Sequence, residues 1–244
     1  VCGRFSIAKP KAEIVRAFHV RAVDEAVTEA LFLRYNVAPS QLVPIVSFAQ
    51  EPDPSVVTRS PVRSLHAARW GFVPHYARGD YAGPRPINAR AEGLKTGRMF
   101  APAARGRRCV VPATGWYEWQ KTTVDGKAAK IPHHIAPAGA AEGTIMAFAA
   151  LWSPPTDACP DPSVAIVTVP ASPGLERIHD RMPAVLTKRD VEVWLAGNTP
   201  LGDALQTLMP RGNEVPLVAR RVTRYVNTPA HEGPGCVAPD LGDD

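Results

Sequence analysis

RRCVVPATGWYEWQKTTVDGKAAKIPHHIAP, residues 107–137, sets the fold class. Short apolar and alternating runs predict strands over 108–112, 114–121 and 131–136. The Asp125-Gly126 pair between them predicts a tight hairpin, because Gly accepts the positive φ that such turns require. Within Gly115-Trp116-Tyr117-Glu118-Trp119, a strand sends Trp116 and Glu118 to one face and Tyr117 and Trp119 to the other. A carboxylate therefore shares a face with an aromatic ring.

Working outward, strand patterns recur at 42–49 (LVPIVSFA), 67–73, 144–152, 163–170 and 215–225. Residues 51–63 read as a polar loop or extended hairpin. Ile14, Val15 and Phe18, with charges between them, predict one amphipathic helix over 11–30. Helical patterns return at 188–196 and 201–209. Strands dominate the middle without regular βαβ alternation. The predicted fold is α+β: a mostly antiparallel, barrel-like sheet core with a few flanking helices. One domain is expected over residues 1–226. Residues 227–244, rich in Pro, Gly and Asp, are expected to form a tail without fixed structure.

The chain has 244 residues, 45% hydrophobic and 21% charged, which is enough apolar material for a real core. The net charge of +5 suits an anionic partner without demanding one. The four cysteines, Cys2, Cys109, Cys159 and Cys236, form no CxxC pair. A disulfide framework or a zinc site of ordinary spacing is therefore not expected. His133 and His134 are adjacent, so a strand points them to opposite sides. No metal and no cofactor are expected. No run of about 18 apolar residues suggests a membrane span, and residues 1–11 lack the apolar stretch of a signal peptide. The expected setting is cytoplasmic and nucleoid-associated. No coiled-coil pattern is present, and a monomer is expected.

Cys2 draws attention by its position. A terminal cysteine carries an amine and a thiol on adjacent carbons. Its α-amine, with a pKa of about 7.7–8, is partly neutral and nucleophilic at pH 7. It adds to an aldehyde and loses water to give an imine. The thiol then closes a five-membered thiazolidine. The competing reading is a small buried hydrophobe, the fate of most free cysteines. Val1 precedes Cys2, and an acylated amine forms no imine. The mechanism therefore requires residue 1 to be removed, as a methionine decoded from a non-ATG start codon would be.

CGRF (2–5), RYNVAPSQ (34–41), ARWGFVPHY (68–76) with INARAEG (87–93), RRCVVPATGWYEWQ (107–120) and LERIHDRMPAVL (175–186) occur in this order. Together they resemble the SRAP (SOS response-associated peptidase) family, with a weaker echo at VTRYVN (222–227). The resemblance implies a sensor of abasic sites that crosslinks itself to single-stranded DNA. It also implies autocatalytic removal of the residue before the cysteine, and slow reversal of the crosslink. It assigns catalytic roles to Cys2, Asn88, Glu118 and His179.

Each assignment has a physical reading and a plainer rival. Glu118 among aromatics is desolvated, which raises its pKa toward acid–base use; the rival is a carboxylate paired with a surface arginine. His179 suits proton transfer at neutral pH; the rival is a structural histidine. Asn88 and Arg90 share a face if extended, so Asn88 reaches the abasic sugar or the Cys2 backbone while Arg90 forks a phosphate. The rival is an Arg90–Glu92 ion pair. Arg4 and Arg181 are further phosphate candidates. Asn36 reads as a pocket residue or as a turn asparagine. Trp70 reads as a base-stacking platform or as core. Single-stranded DNA with abasic sites is thus the expected partner, and the sequence names no replication-fork partner. Two other classes compete: an N-terminal-nucleophile amidohydrolase using Cys2, and a non-covalent single-stranded DNA binding domain.

Overall fold

The computed structural model describes residues 2–48, 62–124, 126–138, 143–208 and 216–240. The strands, in chain order, are β1 (Phe5–Ile7), β2 (Ala22–Val23), β3 (Arg34–Val37), β4 (Leu42–Phe48), β5 (Arg63–Trp70), β6 (Asn88–Arg90) and β7 (Arg108–Ala113). They continue with β8 (Gly115–Val124), β9 (Lys127–Pro137), β10 (Met146–Ser153), β11 (Ser163–Pro170), β12 (Arg181–Pro183), β13 (Val185–Leu186) and β14 (Leu217–Arg221). The α-helices are α1 (Lys11–Ala17), α2 (Ala101–Gly106), α3 (Lys188–Leu195) and α4 (Leu201–Gln206).

The α+β class holds, but the sheet is not a closed barrel. The strands fall into a five-stranded sheet, β14-β9-β8-β1-β3, and a nine-stranded sheet whose path is β12-β11-β10-β7-β4-β5-β2. Strands β7 and β8 are consecutive, yet the chain changes sheet between Ala113 and Gly115. Pairing is also mixed: β2 runs parallel to β5, and β11 runs parallel to both β5 and β6. Alternation in a sequence reports which face a side chain takes. It does not report which strand lies alongside, and this is why one barrel-like sheet was the wrong expectation.

Gly115 fits this crossing for a steric reason. A Cβ there would sit 2.1 Å from His134 Nε2 and 3.0 Å from the Ile135 carbonyl. The β8–β9 hairpin keeps register from Trp116↔Ile135 to Val124↔Lys127. Gly126 takes φ 73°, as the Asp-Gly reading requires, while Asp125 lies outside the described residues. Most of the 51–63 segment and the start of the 215–225 segment also lie outside them.

The predicted helix over 11–30 stops at Ala17. His19 turns into the left-handed region at φ 51°, and Ala22–Val23 then joins the larger sheet beside β5. Edge strand pairing outcompetes continuation of a helix that has lost its apolar stripe. The segment after Asn227 also departs from expectation. Residues 228–240 carry a 3-10 turn at Pro234–Val237, and Val222 bridges Pro239. Buried Cys236 joins Tyr117, Val222 and Val226 in a small apolar cluster on the outer face of the five-stranded sheet. Composition described the polarity of this segment but not the surface it covers.

The main core lies beneath the start of β1. Phe5 meets Trp70 and Phe148 edge-on at ring-centroid distances of 5.2 and 6.3 Å, and Trp116 meets Phe148 at 5.9 Å. Edge-to-face packing of fully buried rings gives the N-terminal strand a rigid floor.

Candidate active site

β1 lies between β3 and β8, with Phe5 opposite Trp116 and Ser6 opposite Gly115. The Tyr117 amide donates to the Arg4 carbonyl at 2.9 Å, which extends this antiparallel contact toward the N-terminus. Cys2 thereby arrives over Glu118, and its backbone N–H donates to Glu118 Oε1 at 2.6 Å. Glu118 is 3% exposed, and burial holds its carboxyl above the ordinary carboxylate range. Cys2 is fully buried. Desolvation pushes its thiol well up, and the neighbouring Glu118 adds to the effect. The thiol is therefore protonated at neutral pH.

Asn88 approaches from the larger sheet. It opens β6, held parallel to β11 with Asn88 opposite Ile166. Its Nδ2 points to the Cys2 carbonyl at 3.4 Å, a long contact. Cys2 thus has Glu118 at its amide and Asn88 at its carbonyl, each from a different sheet.

His179 lies on the turn between β11 and β12, half-buried. Gln120, two residues along β8 from Glu118, donates to the Arg177 carbonyl at 3.2 Å and ties this turn to the same strand. Burial lowers the His179 pKa below 6.5. The Arg181 amide donates to His179 Nδ1 at 3.1 Å, and Asp180 Oδ1 lies 2.8 Å from the same nitrogen. A backbone amide can only donate. The amide contact calls for an unprotonated Nδ1 and the carboxylate contact for a protonated one, so this nitrogen sits where a proton can be either held or given up.

The arginines divide. Arg90 is exposed, and among the described residues its guanidinium makes no hydrogen bond or ion pair, although its charge helps to lower the Glu92 pKa. Arg181 is committed: it grips Glu92 through two nitrogens at 2.7 and 3.0 Å and donates to the Thr168 carbonyl at 2.6 Å. The Arg90–Glu92 pair allowed by spacing is replaced by this one. Arg4 Nη1 donates to Asn36 Oδ1 at 2.7 Å and to the Val226 carbonyl at 3.0 Å, and its guanidinium lies over Trp119.

Two sequence candidates are corrected. Trp70 has no exposed surface, and its Nε1 donates to the Ile87 carbonyl at 2.9 Å. It is core and offers no face to a base. Asn36 is fully buried, with Nδ2 directed at the Val226, Thr228 and His231 carbonyls. It organises the backbone of the C-terminal segment. Of the two adjacent histidines, His134 Nε2 lies 3.1 Å from Ser6 Oγ, and burial lowers its pKa to about 4. The sequence reading missed Gln120 and Thr168. Gln120's spacing of two from Glu118 was an available signal; Thr168 offered none.

A protein family described as SOS response associated peptidase (SRAP) matches residues 1–229. The abasic site processing protein YoqW of Bacillus subtilis is 31% identical over 238 residues, covering 96% of this chain and 97% of its own. The abasic site processing protein YedK of Escherichia coli is 34% identical over 163 residues, covering 66% of this chain and 64% of its own. A crystal structure of a protein from Bacteroides thetaiotaomicron superposes with a TM-score of 0.79 at 21% identity, covering 98% of this chain and all of the other. A cysteine at position 2 buried against a glutamate on the next strand, in a chain matched from its first residue to its 229th, makes this protein a member of the SRAP family.

Proposed function

We propose that this protein forms a covalent thiazolidine between Cys2 and the aldehyde of an abasic site in single-stranded DNA. The observation that carries the proposal is the 2.6 Å contact between the Cys2 nitrogen and the Glu118 carboxyl, both residues being buried. It puts an acid–base group on the nitrogen that must react. The names of the relatives, abasic site processing proteins from bacteria and from vertebrates, support the same substrate.

The sequence of steps follows from the groups present. Water first hydrolyses the peptide bond before Cys2, and Glu118, whose protonated form burial favours, delivers a proton to the departing amine. Residue 1 itself lies outside the described residues. The freed neutral amine attacks the aldehyde carbon of the ring-opened sugar. Glu118, now a carboxylate, takes the proton that the nitrogen sheds on attack and passes it to the resulting hydroxyl, which leaves as water, and an imine forms. The Cys2 sulfur then adds to the imine carbon while its proton passes to the ring nitrogen. The condensation releases one water, and the earlier hydrolysis consumes one. His179, neutral at pH 7, exchanges a proton with the sugar oxygen as the sugar opens or recloses, and Asn88 holds the Cys2 carbonyl.

Specificity for DNA rests on the phosphate contacts rather than on the aldehyde chemistry. Arg90 supplies an uncommitted fork, and Arg4 makes both of its hydrogen bonds through Nη1, leaving the rest of its guanidinium for a phosphate. A single strand presents the sugar carbon without the cost of opening a duplex. The test mixes purified protein with an abasic single-stranded oligonucleotide, denatures, and resolves the products on a gel. A covalent band is expected, absent in Cys2→Ala, with intact mass showing residue 1 missing from the crosslinked species. A chain that retains residue 1 and still crosslinks rules out the thiazolidine. Binding without a covalent band supports a non-covalent DNA-binding domain instead.

A further inference from the structure

We infer that the C-terminal segment 224–240 is a strap that completes the reactive site, with Glu232 and Asn36 as the positioning residues that lock Arg4, and through it Cys2, in place. The inference deepens the crosslinking proposal and rests on it for its kinetic arm.

The strap lies far from Cys2 in sequence, yet its anchors converge on the N-terminal strand. Glu232 Oε1 accepts from Arg34 Nε at 2.5 Å, while Oε2 accepts the backbone amides of Tyr35 at 2.8 Å and Asn36 at 3.2 Å. One carboxylate thus binds both a guanidinium and two consecutive amides of β3. Asn36, the next residue along, turns its amide nitrogen to three strap carbonyls and its oxygen to Arg4. Arg4 also reaches the Val226 carbonyl of the strap directly. Trp119, beneath the Arg4 guanidinium, donates to Asn227 Oδ1 at 2.8 Å.

The chain of contacts is Glu232 to β3, Asn36 to the strap, and both Asn36 and the strap to Arg4. Arg4 is two residues from Cys2 and, through its carbonyl, on the same strand pair as Glu118. Only Gly3 separates the two, so fixing Arg4 bounds how far the Cys2 nitrogen can travel. The strap therefore fixes where the Cys2 nitrogen sits against Glu118. A charged carboxylate with three donors is a specific contact rather than a solvated surface charge. It gives the RYNVAPSQ and VTRYVN segments a shared purpose: one is the receptor and the other belongs to the strap.

The experiment compares Glu232→Ala, Glu232→Asp and a chain ending at Asn227 with the parent protein, by two readouts. The first is alkylation of Cys2 by iodoacetamide in native buffer, which needs no DNA and no aldehyde. Cys2 is buried, so the parent should react slowly. Glu232→Ala and the shortened chain should react at least about tenfold faster, with Glu232→Asp between them. The second is the first-order crosslinking rate at saturating abasic DNA. It should fall about tenfold in Glu232→Ala, recover in part in Glu232→Asp, and change far more than the apparent DNA affinity. Far-ultraviolet circular dichroism identifies any variant that unfolds, and Glu232→Asp keeps the comparison open if the shortened chain does. Unchanged Cys2 alkylation in folded Glu232→Ala overturns the strap. Faster alkylation with no crosslinking in the parent protein sinks the crosslinking proposal and leaves the strap standing.

Discussion

Glu118 Oε1 accepts the Cys2 amide N–H at 2.6 Å across 116 residues of sequence. The contact exists because β1 and β8 pair antiparallel, with Phe5 opposite Trp116. Its cost is a carboxyl 3% exposed to water, held above its usual pKa by desolvation. On the proposed mechanism this nitrogen becomes the nucleophile, and a buried carboxyl against it suits acid–base chemistry more than stability.

Glu118→Gln separates the two. A raised carboxyl pKa means that the native state holds its proton more tightly than the unfolded chain. The stability contributed by this group is full below the ordinary carboxylate pKa and is lost as pH rises through the raised value. At neutral pH, glutamine keeps the shape and needs no charge, so the variant should melt a few degrees higher than the parent. Its crosslinking rate should fall by about a hundredfold or more. Differential scanning calorimetry and a single-turnover gel assay check the pair. A lower melting temperature would contradict the desolvation account.

Trp70 tests the division between core and surface. Its fully buried ring packs against Phe5. Trp70→Ala should cost about 3–5 kcal/mol by urea unfolding, as large-to-small core substitutions do. Trp70→Phe should cost less and leave affinity for intact single-stranded DNA unchanged. Weakened DNA binding by Trp70→Phe at full stability would return Trp70 to the surface.

The sequence carried the strands far better than their partnerships. GWYEW read correctly as a strand with Trp116 and Glu118 on one face because period two is local. The change of sheet between Ala113 and Gly115 is not local; it depends on Ser6, Ile135 and His134 packing around Gly115. The site divides the same way. Cys2, Glu118 and Asn88 were singled out by the family resemblance, since residue type alone left a plainer rival for each; the fold brings the three into hydrogen-bond contact. Arg181 and Arg90 looked equivalent, since nothing in INARAEG says that Glu92 will choose a guanidinium 89 residues away. Asn36 and Trp70 were legible as important, but their polarity and size could not reveal that the fold uses them internally.

Arg90 and Arg181 should therefore behave differently. Arg90→Ala should slow crosslinking without abolishing it and lower the salt dependence of DNA binding by about one counterion in the log–log slope. Glu92→Gln should act on stability. The Arg181 hydrogen bond, first among its causes, lowers the Glu92 pKa below 4.5, so the contribution is present above that value and is lost as pH falls through the lowered one. Because Glu92 is 55% exposed, the effect at pH 7 should stay within about 1 kcal/mol. The parent and Glu92→Gln should converge in acid denaturation series, while their salt slopes remain equal.

On the proposed mechanism, His179 should set the acid limb of crosslinking. Its pKa is lowered from 6.5 by burial, so the ring is neutral at pH 7 and stays so somewhat below 6.5. A proton-exchanging role on the sugar oxygen needs that neutral form. Once the rate is divided by the neutral fraction of the Cys2 amine, whose pKa is about 7.7–8, crosslinking at saturating DNA should therefore be level from about pH 8 to 6.5 and decline below it, as the ring gains its proton. His179→Ala should lower the plateau about ten- to a hundredfold and erase the decline that belongs to the ring. The Glu118 carboxyl also titrates on the acid side, so the decline must be read in Glu118→Gln as well. If it persists there and vanishes in His179→Ala, it belongs to the imidazole. If His179→Ala keeps both the plateau and the limb, the histidine only shapes the turn that Gln120 ties to β8.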